Sequence, residues 1–359
     1  MGFLKKMGNN IKLNLKKRNT SFELMRIIAM LMVCAYHWQL HGNNDMIPRS
    51  ELSANQIISF IFGSWGVLGV NLFFLLSFYF LIKKNNITYS KYIKLAIKVS
   101  FFGTVTYIIG ILCGITEFSF LEIIRTILGV FANQYWFMTV YIIVSLLSPL
   151  LNRLLKTLTQ KESYVLIAIM IYITYGISWI DGNELVGRLS CGITIYILIY
   201  ILENKITNNW FEKYRKLAVP LFIMGVVGEI VLSYLSIHYN YLFYKMIQKI
   251  QTTNSPYMLL IALMVFYIFK NLRLNYNSLV NILGKYSAGA YLLHGGASFI
   301  KDYLWDGLFK VDIFYYLNPI IYMCHYAICI LSLFVVGVIC DFIYSQVADI
   351  IENKIIKFK

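Results

Sequence analysis

The sequence predicts an all-α, polytopic integral membrane protein of about ten transmembrane helices, with both termini cytoplasmic, and three observations predict it. Apolar residues make up 59% of the 359 and charged residues only 14%, with a mean hydropathy of +0.65, whereas soluble domains run at about 45–50% apolar and about 25% charged. Apolar segments long enough to cross a bilayer, about 20 residues each, follow one another with no long polar stretch between them. That excludes the two soluble domains that the length alone would allow. The basic residues fall in alternate loops, as membrane orientation requires.

A basic segment, 1–21, opens the chain. The first apolar stretch, 22–40, contains Glu23, Arg26 and His37 and is followed by no small-residue cleavage site, so it reads as a retained helix rather than a signal peptide. Gly2 lacks the Ser or Thr that a myristoylation signal carries at position six. The second span, 57–82, includes Gly63, Gly66 and Gly69, a small-residue packing face and not a phosphate loop, since no strand precedes it. The third is 92–114. The fourth, 134–151, opens on Trp136 and Phe137, residues that suit either a membrane interface or the wall of a site. The fifth is 163–180. The sixth, 188–202, begins with Arg188 beside Asp181 and Glu184, a set that reads as a surface ion pair or as a sugar contact. The seventh, 217–236, holds Glu229, and the eighth is 256–270. The ninth, 287–301, has Tyr291 and His294 about midway, and the tenth, 318–345, holds His325. Glu229 and His325 read as partnered or packed. The segments 188–202 and 256–270 are short and call for tilt or a thinned bilayer. The membrane domain is thus 22–345, with a basic tail at 346–359.

With the N-terminus inside, 24 of the 32 Lys and Arg fall in cytoplasmic segments and 6 outside, Arg26 and Arg188 being left at helix ends. One missed helix in the middle would scramble that alternation. The net charge of +15 is therefore an orientation signal, helped by anionic lipid heads, and calls for no nucleic-acid partner. The six cysteines form no CxxC pair, so neither a zinc site nor a disulfide framework is expected.

Ionisable groups inside a membrane are costly and usually functional. Arg26 and His37 are eleven residues apart, about 1100° of rotation and so about 20° off one face, with a rise of about 16 Å. Glu23, three residues before Arg26, is placed to pair with it. Arg26 alone would suit snorkelling to inner-leaflet phosphates, and His37 alone a core hydrogen bond. His37 and His41 share a helical face, but no Cys or carboxylate stands nearby to complete a ligand set, so no metal is expected.

Residues 22–40, FELMRIIAMLMVCAYHWQL, resemble the opening motif of the acyltransferase-3 family of integral membrane acyltransferases: a basic residue, ten residues, then a histidine, matched by Arg26 and His37. GVLGVNLFFLLSFYF at 66–80 is similar to the second-helix pattern, QYWFMTVYIIVSLLSPLL at 134–151 to the Trp-Phe segment leading to a Pro, and LGKYSAGAYLLHG at 283–295 to the late pattern ending in Tyr-Leu-x-His. Two positions depart from the pattern: Asn71 stands where Asp is frequent, and Phe78 where Gly usually follows the Ser. The resemblance implies transfer of an acyl group, commonly acetyl from acetyl-CoA, to a hydroxyl of a surface glycan or a lipid-linked sugar at the cell membrane. It implies His37 as the base that takes the hydroxyl proton and Arg26, oriented by Glu23, as a holder of CoA phosphate. Trp136 would line the donor path, with Asn71, Tyr291 and His294 in support. A transporter or flippase for a lipid-linked glycan is the alternative reading, but the chain shows no inverted-repeat pairing.

Overall fold

The computed structural model describes residues 18–42, 53–177, 184–239, 242–252, 255–296, 299–300 and 303–357. Among them there is no strand. Hydrophobic runs of this length leave a backbone in lipid only one self-satisfied choice besides a closed barrel, the helix.

The first helix, α1 (Thr20–Gly42), packs along α2 (Ala54–Leu81). The Gly63, Gly66 and Gly69 run is the reason the two come so close. A Cβ at Gly69 would lie 2.5 Å from the Ala29 carbonyl oxygen, and one at Gly66 would overlap the Tyr36 side chain. Phe22, at the start of α1, meets Tyr79 and Phe80 at the end of α2, so the pair is antiparallel. The helices α3 (Tyr89–Leu112), α4 (Phe120–Leu128), α5 (Trp136–Thr157) and α6 (Gln160–Ile171) follow. A capping box of Thr159 and Glu162 opens α6; the backbone N–H of Thr159 donates to the Glu162 carboxylate, which lowers its pKa. A π-helical turn, Tyr172–Ile177, extends α6. After α7 (Glu184–Asn204) and the short α8 (Trp210–Lys213) come α9 (Ala218–His238), α10 (Leu242–Ile250) and α11 (Pro256–Asn271).

Among the described residues, five stretches are long and apolar enough to cross a membrane: α2, α3, α5, Arg215–His238 and Pro319–Glu352. α1 and α7 are comparable in length at 23 and 21 residues. The helix α11 is apolar and shorter. Each of these helices overlaps one of the expected spans.

The ninth expected span differs. Instead of one helix over 287–301, α12 (Ser278–Tyr286) and α13 (Ala288–His294) meet at Ser287, whose hydroxyl donates to the Gly284 carbonyl at 3.0 Å. α13 then ends at Gly295, whose N–H bonds the Tyr291 carbonyl at 2.7 Å. Glycines at 284, 289, 295 and 296 deprive this stretch of helix propensity, and burial among other helices lets the break persist. A π-helical turn, Tyr303–Leu308, and α14 (Val311–Tyr315) lead into α15 (Pro319–Lys357). α15 continues through most of the segment expected as a tail, because no Gly or Pro after Gly337 stops it.

Polar contacts gather the loops of one side. Ser21 donates to the Leu272 carbonyl at 2.5 Å, Lys270 pairs with Glu203 at 2.7 Å, Gln160 donates to the Lys205 carbonyl at 3.2 Å, Asn152 to the Lys84 carbonyl at 2.8 Å, and Lys94 pairs with Glu352 at 2.5 Å. The start of α1 and the end of α15 therefore lie at the same end of the bundle.

Candidate active site

The site grows from α1. Glu23 sits in its first turn, where the helix dipole favours an acid, and is 2% exposed. Its carboxylate accepts from Arg26 on the next turn and from Arg18 at 3.2 Å. Burial and the neighbouring Arg26 guanidinium lower the Arg18 pKa, against the pull of Glu23. Gly284 of α12 closes over this group: a Cβ there would lie 2.7 Å from the Glu23 carboxylate.

His37 lies three turns further along α1. Its Nδ1 is 2.6 Å from Nε2 of His294, at the end of α13. His294 is 1% exposed, and its Nδ1 is 2.6 Å from the Ala290 carbonyl oxygen. This chain assigns the tautomers. A carbonyl oxygen only accepts, so His294 Nδ1 carries the hydrogen. In the neutral ring Nε2 then has the lone pair and accepts from His37 Nδ1–H. The lone pair of His37 is accordingly on Nε2. The glycine-rich break before α13 is what brings His294 to this depth. The Tyr135 hydroxyl, donating to the Leu292 carbonyl at 2.9 Å, holds the turn in place.

Arg26, His37, Trp136 and Tyr291 line one cavity of about 670 Å³. It follows α1 from Arg26 to His41, a rise of about 22 Å. The Arg26 end also carries Arg18, Lys91, Lys98 and Lys285; the middle is apolar, with Met30, Val33, Phe73 and Phe137. Lys98 is paired with the buried Asp341 of α15. At the His37 end, the Arg188 guanidinium lies 4.8 Å from the centre of the Trp136 ring. Tyr291 packs between Tyr135 and Phe137, with ring centres 5.8 Å and 6.0 Å away. No group of three His, Cys, Asp or Glu able to hold a metal occurs among the described residues.

Of the residues singled out in the sequence, Glu23 and His294 stand behind the cavity wall and hold Arg26 and His37. Asn71 is not brought to the cavity. It is fully buried and neither amide atom has a hydrogen-bond partner. On α2 the cavity takes Gly66, Val67, Val70, Phe73 and Ser77, and Asn71 lies about 100° round the helix from Val70 and about 40° from Val67, at the edge of the lining face. Phe78 is accommodated in the core against Phe74 and Tyr196, each 5.4 Å away. Glu229 accepts from Gln251 at 3.2 Å, and His325 meets the Phe309 carbonyl at 2.8 Å and stacks on Phe314. Asp181, beside which Arg188 was expected to form an ion pair, and the Glu184 side chain lie outside the described residues. The lysines 91, 98, 249 and 285 line the cavity, although in the sequence they count only toward orientation. The i, i+7 spacing of Lys91 and Lys98, which puts them on one helix face, was the signal that could have set them apart.

A family model described as an acyltransferase domain, that of the acyltransferase-3 family, matches residues 19–341. No curated protein and no solved structure matched the chain. The matched region begins one residue before α1 and reaches Asp341 in α15, taking in every residue that lines the cavity except Arg18, and the chain belongs to the acyltransferase-3 family of membrane acyltransferases.

Proposed function

We propose that the protein is a membrane O-acyltransferase that moves an acyl group, with acetyl as the first candidate, from acyl-CoA to a hydroxyl of a surface polysaccharide or lipid-linked glycan at a bacterial cell membrane. The observation that carries this reading is the hydrogen-bonded sequence His37–His294–Ala290 carbonyl, whose first member, His37, lines the same cavity as a cluster of cations. An alcohol is a poor nucleophile at neutral pH and needs a positioned base. His37 Nε2 takes the hydroxyl proton while the oxygen forms its bond to the thioester carbonyl carbon. The C–S bond then breaks, and the CoA thiolate leaves with the proton returned from His37. His294 positions His37 and spreads the charge that His37 acquires, the part an orienting group plays behind a catalytic base.

The cations at the Arg26 end suit the phosphates of CoA. Glu23 offsets only one of Arg18 and Arg26, and Asp341 offsets Lys98, which leaves Lys91 and Lys285 as further positive charge. Arg26 offers a planar fork for a phosphate. Trp136 lines the path of the donor arm, and Tyr291 supplies a phenol donor near the thioester oxygen. Ten spans, with both termini cytoplasmic, put the Arg26 end on the side where CoA is made. Single cysteines at Asn43, Asn85, Asn183 and Asn208, in a background without the native ones, test this orientation: 43 and 183 label with an impermeant thiol reagent on intact cells, 85 and 208 do not.

The test of function uses sealed vesicles of known orientation, with acetyl-CoA on the cytoplasmic face and glycan on the other. Acetylated glycan and free CoA thiol are expected together. Thiol release only when donor and acceptor share the cytoplasmic face would keep the enzyme and discard the transmembrane path. No thiol release with either arrangement would overturn the reading.

A further inference from the structure

The helix α5 begins at the wall of the cavity: its first three residues, Trp136, Phe137 and Met138, all line it. The backbone N–H of Thr139 donates to the Tyr135 carbonyl at 3.0 Å, and the N–H groups of the three residues before it precede the helical ladder. The N-cap, Tyr135, makes no side-chain cap, and the first turn holds no acid; the Tyr135 hydroxyl is engaged by the Leu292 carbonyl. The start of a helix carries a partial positive charge of about +0.5, and its free N–H groups suit an anionic oxygen. A second group points to the same place. Tyr291 is 5% exposed and lines the cavity, and its hydroxyl has no hydrogen-bond partner. A buried polar group left so costs about 1–3 kcal/mol, which a bound acceptor atom would relieve. The Tyr291 ring packs on Tyr135 and Phe137, and the Phe137 N–H points toward its hydroxyl oxygen without closing a hydrogen bond to it. The ring centre of Tyr291 is 6.1 Å from that of His294, which is 4.8 Å from that of His37.

We infer that the first turn of α5 and Tyr291 together form an oxyanion hole, in which the N–H groups of Phe137 and Met138 and the Tyr291 hydroxyl hold the thioester oxygen and the negative charge it gains. This rests on the acyl-transfer reading above and adds the backbone donors of that same site. As the acceptor oxygen bonds to the carbonyl carbon, the π electron pair of the C=O bond moves onto the carbonyl oxygen. The three donors hydrogen-bond that oxyanion and keep their own protons. When the pair returns, the C–S bond breaks and the thiolate leaves with the proton from His37. Donors fixed in a helix and in a packed ring need no reorganisation as the charge develops, the condition under which such groups contribute most.

The experiment reads the carbonyl stretch of isotope-labelled acetyl-CoA bound to the full chain in detergent, by difference infrared spectroscopy, with thiol release followed in parallel. In the parent the stretch is expected below that of free acetyl-CoA in water. Tyr291→Phe should move it part of the way back and lower kcat by roughly 10²–10³-fold with KM for acetyl-CoA unchanged. Phe137→Pro should move it further back than Phe137→Ala: both lose the ring, and only Pro loses the N–H, at a position where no ladder bond depends on it. Acetyl-CoA binding checks that each variant is folded. If Phe137→Pro does not fold, the shift that survives in Tyr291→Phe reports the amides. A parent stretch no lower than that of free acetyl-CoA overturns the inference, as does an unchanged stretch in Tyr291→Phe. A full return to the free value in Tyr291→Phe alone leaves the helix no share and overturns it too, as does equality of the Phe137→Pro and Phe137→Ala spectra. A lowered stretch in a parent that releases no thiol with glycan present sinks acyl transfer and leaves the thioester-oxygen site standing. Thiol release by a parent whose bound carbonyl is unshifted does the reverse.

Discussion

The two ends of the cavity are built in opposite ways. At the Arg26 end the central pair is local: Glu23 and Arg26 are neighbours on successive turns of one helix, and α12 merely closes over them through Gly284. At the His37 end the contact is long-range: His37 and His294 are 257 residues apart in sequence, and the second ring reaches the first only because the chain between α12 and α13 breaks at Ser287. A local pair keeps its geometry whatever the rest of the bundle does. A long-range pair exists only when the bundle is complete. The part of the site that holds charge is thus robust to packing, and the part proposed to move a proton is sensitive to it.

The largest effect that tests this contrast is His37→Gln, which keeps a hydrogen-bonding side chain but cannot take the proton. Acyl transfer should fall by roughly 10²–10⁴-fold with acetyl-CoA binding unchanged; transfer near the parent rate would remove His37 from the reaction. Next is Arg26→Ala, which deletes charge-assisted hydrogen bonds of about 1.5–3 kcal/mol and should weaken acetyl-CoA binding about 10- to 100-fold in calorimetry. Arg26→Lys should restore little of it, because an ammonium does not copy the fork. Equal affinity in the parent and Arg26→Ala would place the donor phosphates on the lysines instead.

His294→Ala should lower kcat about tenfold, the size of one buried hydrogen bond, and leave KM unchanged. His294→Gln, which can both accept from His37 and donate to the Ala290 carbonyl, should recover most of the loss. Loss of folding in both variants, with no recovery by Gln, would make His294 a packing residue. The smallest effect is expected at Asn71, which belongs to neither end. Removing a buried amide without partners by Asn71→Leu should raise stability by about 1 kcal/mol and leave transfer intact, read by thermal unfolding in detergent and by thiol release. A fall in transfer would assign Asn71 a part in the site that its absence from the cavity lining does not suggest.

Several of these features were legible in the chain. Arg26 and His37 share a helix face by spacing alone, Glu23 is within one turn of Arg26, and the Gly63, Gly66 and Gly69 run reads directly as a close helix crossing. Lys91, Lys98 and Lys285 were visible only as loop charge. A lysine that counts toward orientation and a lysine that lines a cavity look the same in sequence, because the count ignores which way the helix faces. The split of the ninth span escaped for a related reason. Its residues are apolar enough for a span, and only their glycine content, weighed against the packing around them, ends the helix at His294.

By itself the sequence determined the all-α class, the position of most membrane helices and the Glu23–Arg26 pair, because lipid solvation and helical spacing act on neighbouring residues and can be read along the chain. Tertiary structure alone decided that His294 comes to lie 2.6 Å from His37, that Arg188 rests over Trp136, and that one cavity joins Arg26 to both. These contacts depend on how separate helices stack and where a buried helix can afford to break, and no residue carries that information in its own neighbourhood.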